Sequence, residues 1–276
     1  MLTGPQRDKW HDGGVEIAAH VDALERDGAL LADAAAAAGL TASVPTCPGW
    51  QVRDLVRHQA HVHQWAARHV TERAATLLGE DDEEAVLAGG PDDAELIDSY
   101  RGGHAALVAA LLAADPDLDC ATFMPAPSPL AFWARRQAHE TAIHRYDTQS
   151  AAPGGAPSPD AAFDAAFADD GIDELIMGFA ARRRYRLRGG GTRSLTIRAI
   201  DTGNGWRVRL ADDVTTVARC DDTGDAGGAG DCLLAGPAAD IYAYLWNRSD
   251  PAAAAVTIAG DPAVLDVWRS SVRVTW

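Results

Sequence analysis

Glu140 and His144 stand four residues apart in the stretch RRQAHETAIHRYD. If that stretch is helical, one face carries both side chains and sets a carboxylate beside an imidazole. Such a pair suits two ligands of a divalent metal, because first-row cations of borderline softness accept mixed nitrogen and oxygen ligands. One helix rarely supplies a full ligand set, so a facing helix must add the third ligand. The stretch VRHQAHVHQW offers His58, His61 and His63, of which His58 and His61 share a face. Two imidazoles and one carboxylate leave coordination positions open, which is the arrangement of a catalytic rather than a closed structural site. Spacing alone does not decide the matter, since Glu-x-x-x-His also suits a solvated, ion-paired helix face.

The residues around this pair have readings of their own. His139 points about 100° away from Glu140 around a helix and is set aside as a ligand. Asp147, one turn after His144, either accepts the second imidazole N–H or pairs with Arg145 or solvent. Arg136, four residues before Glu140, is a candidate catalytic residue whose guanidinium would hold a carboxylate on substrate or cofactor. In TCPGW, Trp50 is a candidate wall of the pocket and a cofactor contact, while Cys47 has no basic partner in the sequence and is expected to pack.

Four helices are needed to position these groups. Helical spacing runs from about residue 15 to 40, then TASVPTCPGW breaks the helix with two prolines and a glycine. A second helix is expected over residues 52–78, a third from Asp92 and Asp93 to about residue 114, and a fourth over 130–150. The segment APGGAPSP at 152–159 has the composition of a linker. Beyond it the pattern predicts a helix over 160–184 and strands over 194–200, 206–210, 214–218, 232–235 and 256–259. Helices are expected over 238–247 and 262–272. DTGNG supplies the Asn and Gly of a hairpin turn between the first two strands. The expected fold is multidomain: an all-α four-helix bundle over 1–152 and a small α+β domain over 153–276.

The 276 residues carry 40 acidic against 24 basic side chains, a net charge of -16, so the averaged field repels nucleic acid and anionic membranes. Neither is an expected partner. Cys47, Cys120, Cys220 and Cys232 are scattered with no CxxC pair, and no secretory or spanning segment is evident, so a cytoplasmic location is expected. The run ARRRYRLR at 181–188 is the main basic cluster, and its place after a helix is explained by the helix dipole.

VPTCPGWQVRDLVRHQAHVHQW at 44–65, followed by RRQAHETAIHRYD at 135–147, resembles the metal-binding signature of the mycothiol-dependent maleylpyruvate isomerase family. That family's N-terminal domain is a DinB-like four-helix bundle. DDGIDEL, TIRAIDTGNGWRV, LAGPAADIYAYLWNR and IAGDPAVLDVWR resemble, in order, its SCP2-like C-terminal domain. The resemblance implies His58, nine residues after the glycine of PGW, as the third ligand beside Glu140 and His144. It also implies a divalent metal, zinc by ligand type, and mycothiol as a low-molecular-weight thiol cofactor. Arg248, in LWNR, matches an arginine position of the family's second domain and is expected to contact the thiol or substrate across the domain interface. The implied activity is addition of a metal-activated thiolate to a small electrophilic substrate. Isomerisation, S-transfer in detoxification or natural-product biosynthesis, and a non-catalytic metal-binding regulatory module are the outcomes it leaves open. The expected assembly is a monomer or small homo-oligomer.

Overall fold

The computed structural model describes residues 16–79, 89–181, 192–211, 215–220, 230–249 and 255–271. The chain divides into two compact units, the first reaching to Pro157 and the second starting at Ser158. No described helix is long and apolar enough to cross a membrane.

The first unit holds α1 (Ile17–Ala38), α2 (Val52–Thr71), α3 (Asp93–Ala113) and α4 (Pro129–Ser150). Val21, Leu24, Leu31 and Ala35 form the buried stripe of α1 at helical spacing. A reciprocal pair of bonds between Gln51 and Asp54 starts α2, and the Ser128 side chain accepts the Ala131 N–H to start α4 with Pro129 in its first turn. α1 packs chiefly against α4, and α2 against α3. Gly28 permits a close approach: a Cβ there would meet the His104 ring at 2.2 Å. α4 is buried on all sides, including Arg136, His139, Glu140, His144, Arg145 and Asp147. So many buried polar groups are tolerable only if they are paired, and their pairing makes the site described below.

α2 ends at Thr71, earlier than the expected residue 78. Arg73 adopts a left-handed φ of 49°, and the chain turns back on the helix. The Leu78 N–H donates to His69 Nε2 at 3.0 Å, and the Leu78 carbonyl accepts from Trp65 Nε1 at 3.2 Å. The acidic run at 80–84 lies outside the described residues.

The second unit opens with α5 (Pro159–Ala162), α6 (Ala165–Asp173) and a π-helical segment, Glu174–Ala180. The sequence pattern predicts a single helix over this stretch. It breaks at Phe163, whose backbone is extended, because the Asp164 side chain caps the next helix by accepting from the N–H groups of Ala166 and Phe167. Most of the basic cluster at 181–188 is outside the described residues. A five-stranded sheet follows in the order β3-β2-β1-β4-β5, with β1 (Arg193–Ala199), β2 (Gly205–Leu210), β3 (Thr216–Arg219), β4 (Cys232–Gly236) and β5 (Thr257–Gly260). β1 and β4 run parallel, and the other neighbours antiparallel. The β1–β2 hairpin turns at DTGNG, where Gly203 has a φ of 78°. Asp169 accepts from Thr202 and Asn204 in that turn, and Asp173 accepts from Trp206 and Arg219 in β2 and β3. α7 (Ala238–Leu245) and α8 (Ala263–Ser271) complete the unit. A helical bundle followed by an α+β domain is the fold class read from the sequence.

Candidate metal centre

α2 and α4 bring His58, Glu140 and His144 together with candidate ligand atoms all within 4.8 Å of one another. His58 Nε2 is 3.5 Å and His144 Nε2 3.1 Å from the same oxygen, Glu140 Oε1. A tetrahedral zinc ion with bonds of about 2.0–2.1 Å separates its ligand atoms by roughly 3.3 Å. The donor chemistry and the spacing both fit a divalent cation. The three residues are buried, with 5%, 2% and 9% of their surface exposed, which excludes the reading of a solvated helix face.

Partners fix the orientation of these side chains. Arg136, fully buried, donates from Nη2 to Glu140 Oε2 at 2.8 Å and so leaves Oε1 turned toward the imidazoles. Asp147 Oδ2 accepts the His144 Nδ1–H at 3.0 Å, which places Nε2 on the side of Glu140. Of the two readings of Asp147, the imidazole partner is therefore the one realised at this oxygen. Arg145 donates to Asp27 and Gln149. The Trp50 ring lies 5.3 Å from the His58 ring, and His58 meets His144 edge-on at 5.1 Å.

Comparison with known proteins places both parts of the chain. Residues 21–149 match the "Mycothiol maleylpyruvate isomerase N-terminal domain" and residues 166–266 the "MDMPI C-terminal domain". The chain belongs to the mycothiol-dependent maleylpyruvate isomerase family. Its fold is similar to the crystal structure of the mycothiol-dependent maleylpyruvate isomerase, with a TM-score of 0.62, 13% identity, and coverage of 91% of this chain and 95% of that one. A mutant of that isomerase with one histidine changed to alanine gives the same values. No curated protein matches the chain.

In this member of the family the site is electrostatically poised. Burial opposes ionisation of Glu140, but the neighbouring His144, hydrogen bonds from both imidazoles and the Arg136 guanidinium outweigh it and hold the carboxyl well below its ordinary range. Burial also opposes charging of His144, yet Glu140 and Asp147 prevail and raise its pKa to about 9. Without a metal, a cationic His144 and an anionic Glu140 therefore hold the pocket together at neutral pH.

Sequence reasoning missed a polar clasp beside these residues. His63 Nε2 and Gln59 Nε2 each reach Thr141 Oγ1, at 2.9 and 3.2 Å, and lie 2.9 Å from each other. Gln59 follows His58 and Thr141 follows Glu140, so the clasp sets the register of α2 on α4 where the candidate ligands meet. Burial and the neighbouring His104 hold the His63 pKa well below its ordinary value, which keeps the ring neutral. The Gln59-x-x-x-His63 spacing was the available signal for half of the clasp. His61 is only half-buried on α2. Cys47 does more than pack: its Sγ donates to Asp147 Oδ2 at 3.4 Å. In the second unit, Arg248 is half-buried just after α7 and donates from Nη1 to the Trp246 carbonyl at 2.7 Å.

Proposed function

We propose that this chain is a divalent-metal, mycothiol-dependent isomerase of small electrophilic substrates of the maleylpyruvate kind, with His58, Glu140 and His144 as metal ligands. The observation that carries the reading is the convergence of two imidazoles on one carboxylate oxygen in a chain that belongs to this family. His58, Glu140 and His144 would hold a zinc-like cation, which would favour the thiolate form of mycothiol and so supply the reversible nucleophile that cis–trans isomerisation of an electrophilic double bond needs.

The chain's own residues prepare for this step. Glu140 offers Oε1 while Arg136 holds Oε2, so the carboxylate is kept in one orientation. We therefore assign Arg136 to Glu140 rather than to a carboxylate of the substrate. Asp147 holds the proton at Nδ1 of His144, which commits Nε2 to ligation. Trp50 supplies an aromatic face beside His58. Arg248 is our candidate for binding an anionic group of thiol or substrate. Three protein ligands leave room for an exchangeable position, as catalysis requires and a closed structural site does not. The four free cysteines are consistent with action in the reducing cytoplasm.

The test is to incubate zinc-loaded protein with mycothiol and maleylpyruvate. The expected result is the trans isomer with thiol conserved. Accumulation of a stable thioether would instead make the protein an S-transferase, and absence of any thiol-dependent turnover would defeat the enzymatic reading.

A further inference from the structure

We infer that Cys47 is a positioning residue of the metal centre: its thiol holds the carboxylate that orients His144, and thereby sets how tightly the site binds metal. The inference rests on the proposed ligand set of His58, Glu140 and His144.

The loop between α1 and α2 is built to deliver that thiol. Val44 N–H donates to the Trp50 carbonyl at 2.9 Å, Trp50 N–H to that of Cys47 at 3.0 Å, and Cys47 N–H to that of Val44 at 3.1 Å. A bridge between Ser43 and Gln51 closes the base of the loop. Its tip is tied to α4, because Thr46 Oγ1 lies 3.3 Å from Ser150 Oγ, and Ser150 Oγ donates to the Asp147 carbonyl at 2.6 Å. Cys47 therefore meets Asp147 across 100 residues of sequence at a fixed position.

Asp147 has no exposed surface, so its carboxylate depends on donors from the protein. Its Oδ2 receives the Cys47 thiol at 3.4 Å and the His144 Nδ1–H at 3.0 Å. Two donors on one oxygen fix the carboxylate from separate elements, the loop and the helix. The imidazole it orients then presents Nε2 to Glu140 Oε1 at 3.1 Å. The atoms of Cys47, Asp147 and His144 also lie within 4.8 Å of one another. A hydrogen-bonded chain is the better account of that cluster, since the His144 Nδ1 side is already directed at Asp147.

The experiment measures zinc affinity by competition with a chromophoric chelator in the full-length wild-type protein, Cys47→Ala and Cys47→Ser, together with the visible spectrum of each cobalt-loaded form. Cys47→Ala should bind zinc about ten-fold more weakly, and Cys47→Ser, which keeps a donor, should recover to within about three-fold of wild type. The cobalt spectra should retain the wild-type ligand pattern. An affinity of Cys47→Ala equal to wild type would overturn the role of Cys47 alone. Equal losses in both variants would replace the hydrogen bond by mere packing, and so would overturn it too. Two metals per wild-type chain, one of them lost in both variants, would make Cys47 a ligand instead. A wild-type protein that binds no zinc would remove the ligand set itself.

Discussion

His63 Nε2 lies 2.9 Å from Thr141 Oγ1 across the α2–α4 contact, one residue beyond Glu140 on α4. This bond and its Gln59 companion hold the two helices that carry the candidate metal ligands in register. Thr141→Val keeps the shape of the side chain and removes the hydroxyl, leaving His63 and Gln59 buried with fewer partners. A loss of about 1–3 kcal/mol in unfolding free energy is expected, measured by urea titration. Zinc affinity should fall with it, because the register of His58 on Glu140 is loosened.

Replacement of the proposed ligands should separate metal from fold. His58→Ala and His144→Ala are expected to lose stoichiometric metal while keeping their helical circular dichroism, since apolar packing of α1 to α4 builds the bundle. Metal content by mass spectrometry of the purified variants checks this. Wild-type content in both would remove the assignment.

Arg136 and Glu140 form an ion pair with 0% and 3% of their side chains exposed. Arg136→Met would strand a buried carboxylate, at an expected cost of about 3–5 kcal/mol. The metal should rescue part of that loss by taking over the charge of Glu140. Thermal melts with and without zinc would reveal a larger zinc-induced shift in the variant than in wild type.

The pH dependence of the metal-free protein follows from Glu140 and His144. His144 has a raised pKa of about 9, so its stabilising contribution is full below its unfolded value and is lost as pH rises through about 9. Glu140 is depressed, so its contribution is present above its unfolded value and is lost only as pH falls through the lowered one. Metal-free protein should therefore melt at a lower temperature near pH 10 than near pH 7. Because His144 carries a proton at neutral pH, zinc binding there should release about one proton, measurable by calorimetry in buffers of different ionisation enthalpy.

Much of the fold and part of the site are legible in local sequence. The stretch 130–150 reads as one helix, and α4 differs only in starting at Pro129, where Ser128 caps it. The strands and the DTGNG hairpin are visible from alternation and turn chemistry. The pairing of Glu140 with His144, and the proximity of Arg136, follow from four-residue spacing on one helix. His58 cannot be chosen over His61 by spacing, and family resemblance makes that choice. Contacts between distant segments are not legible at all. Cys47 with Asp147, and His63 with Thr141, depend on how loop and helices pack, which no local pattern encodes. The early end of α2 has the same cause, since the left-handed Arg73 is stabilised by Leu78 folding back on His69 and Trp65.

The most direct test of the account is a crystal structure of zinc-soaked protein with diffraction collected on both sides of the zinc absorption edge. One anomalous peak is predicted at bonding distance, about 2.0–2.2 Å, from His58 Nε2, His144 Nε2 and Glu140 Oε1. A peak held by other residues, or no peak at a zinc concentration that saturates binding in solution, would contradict it.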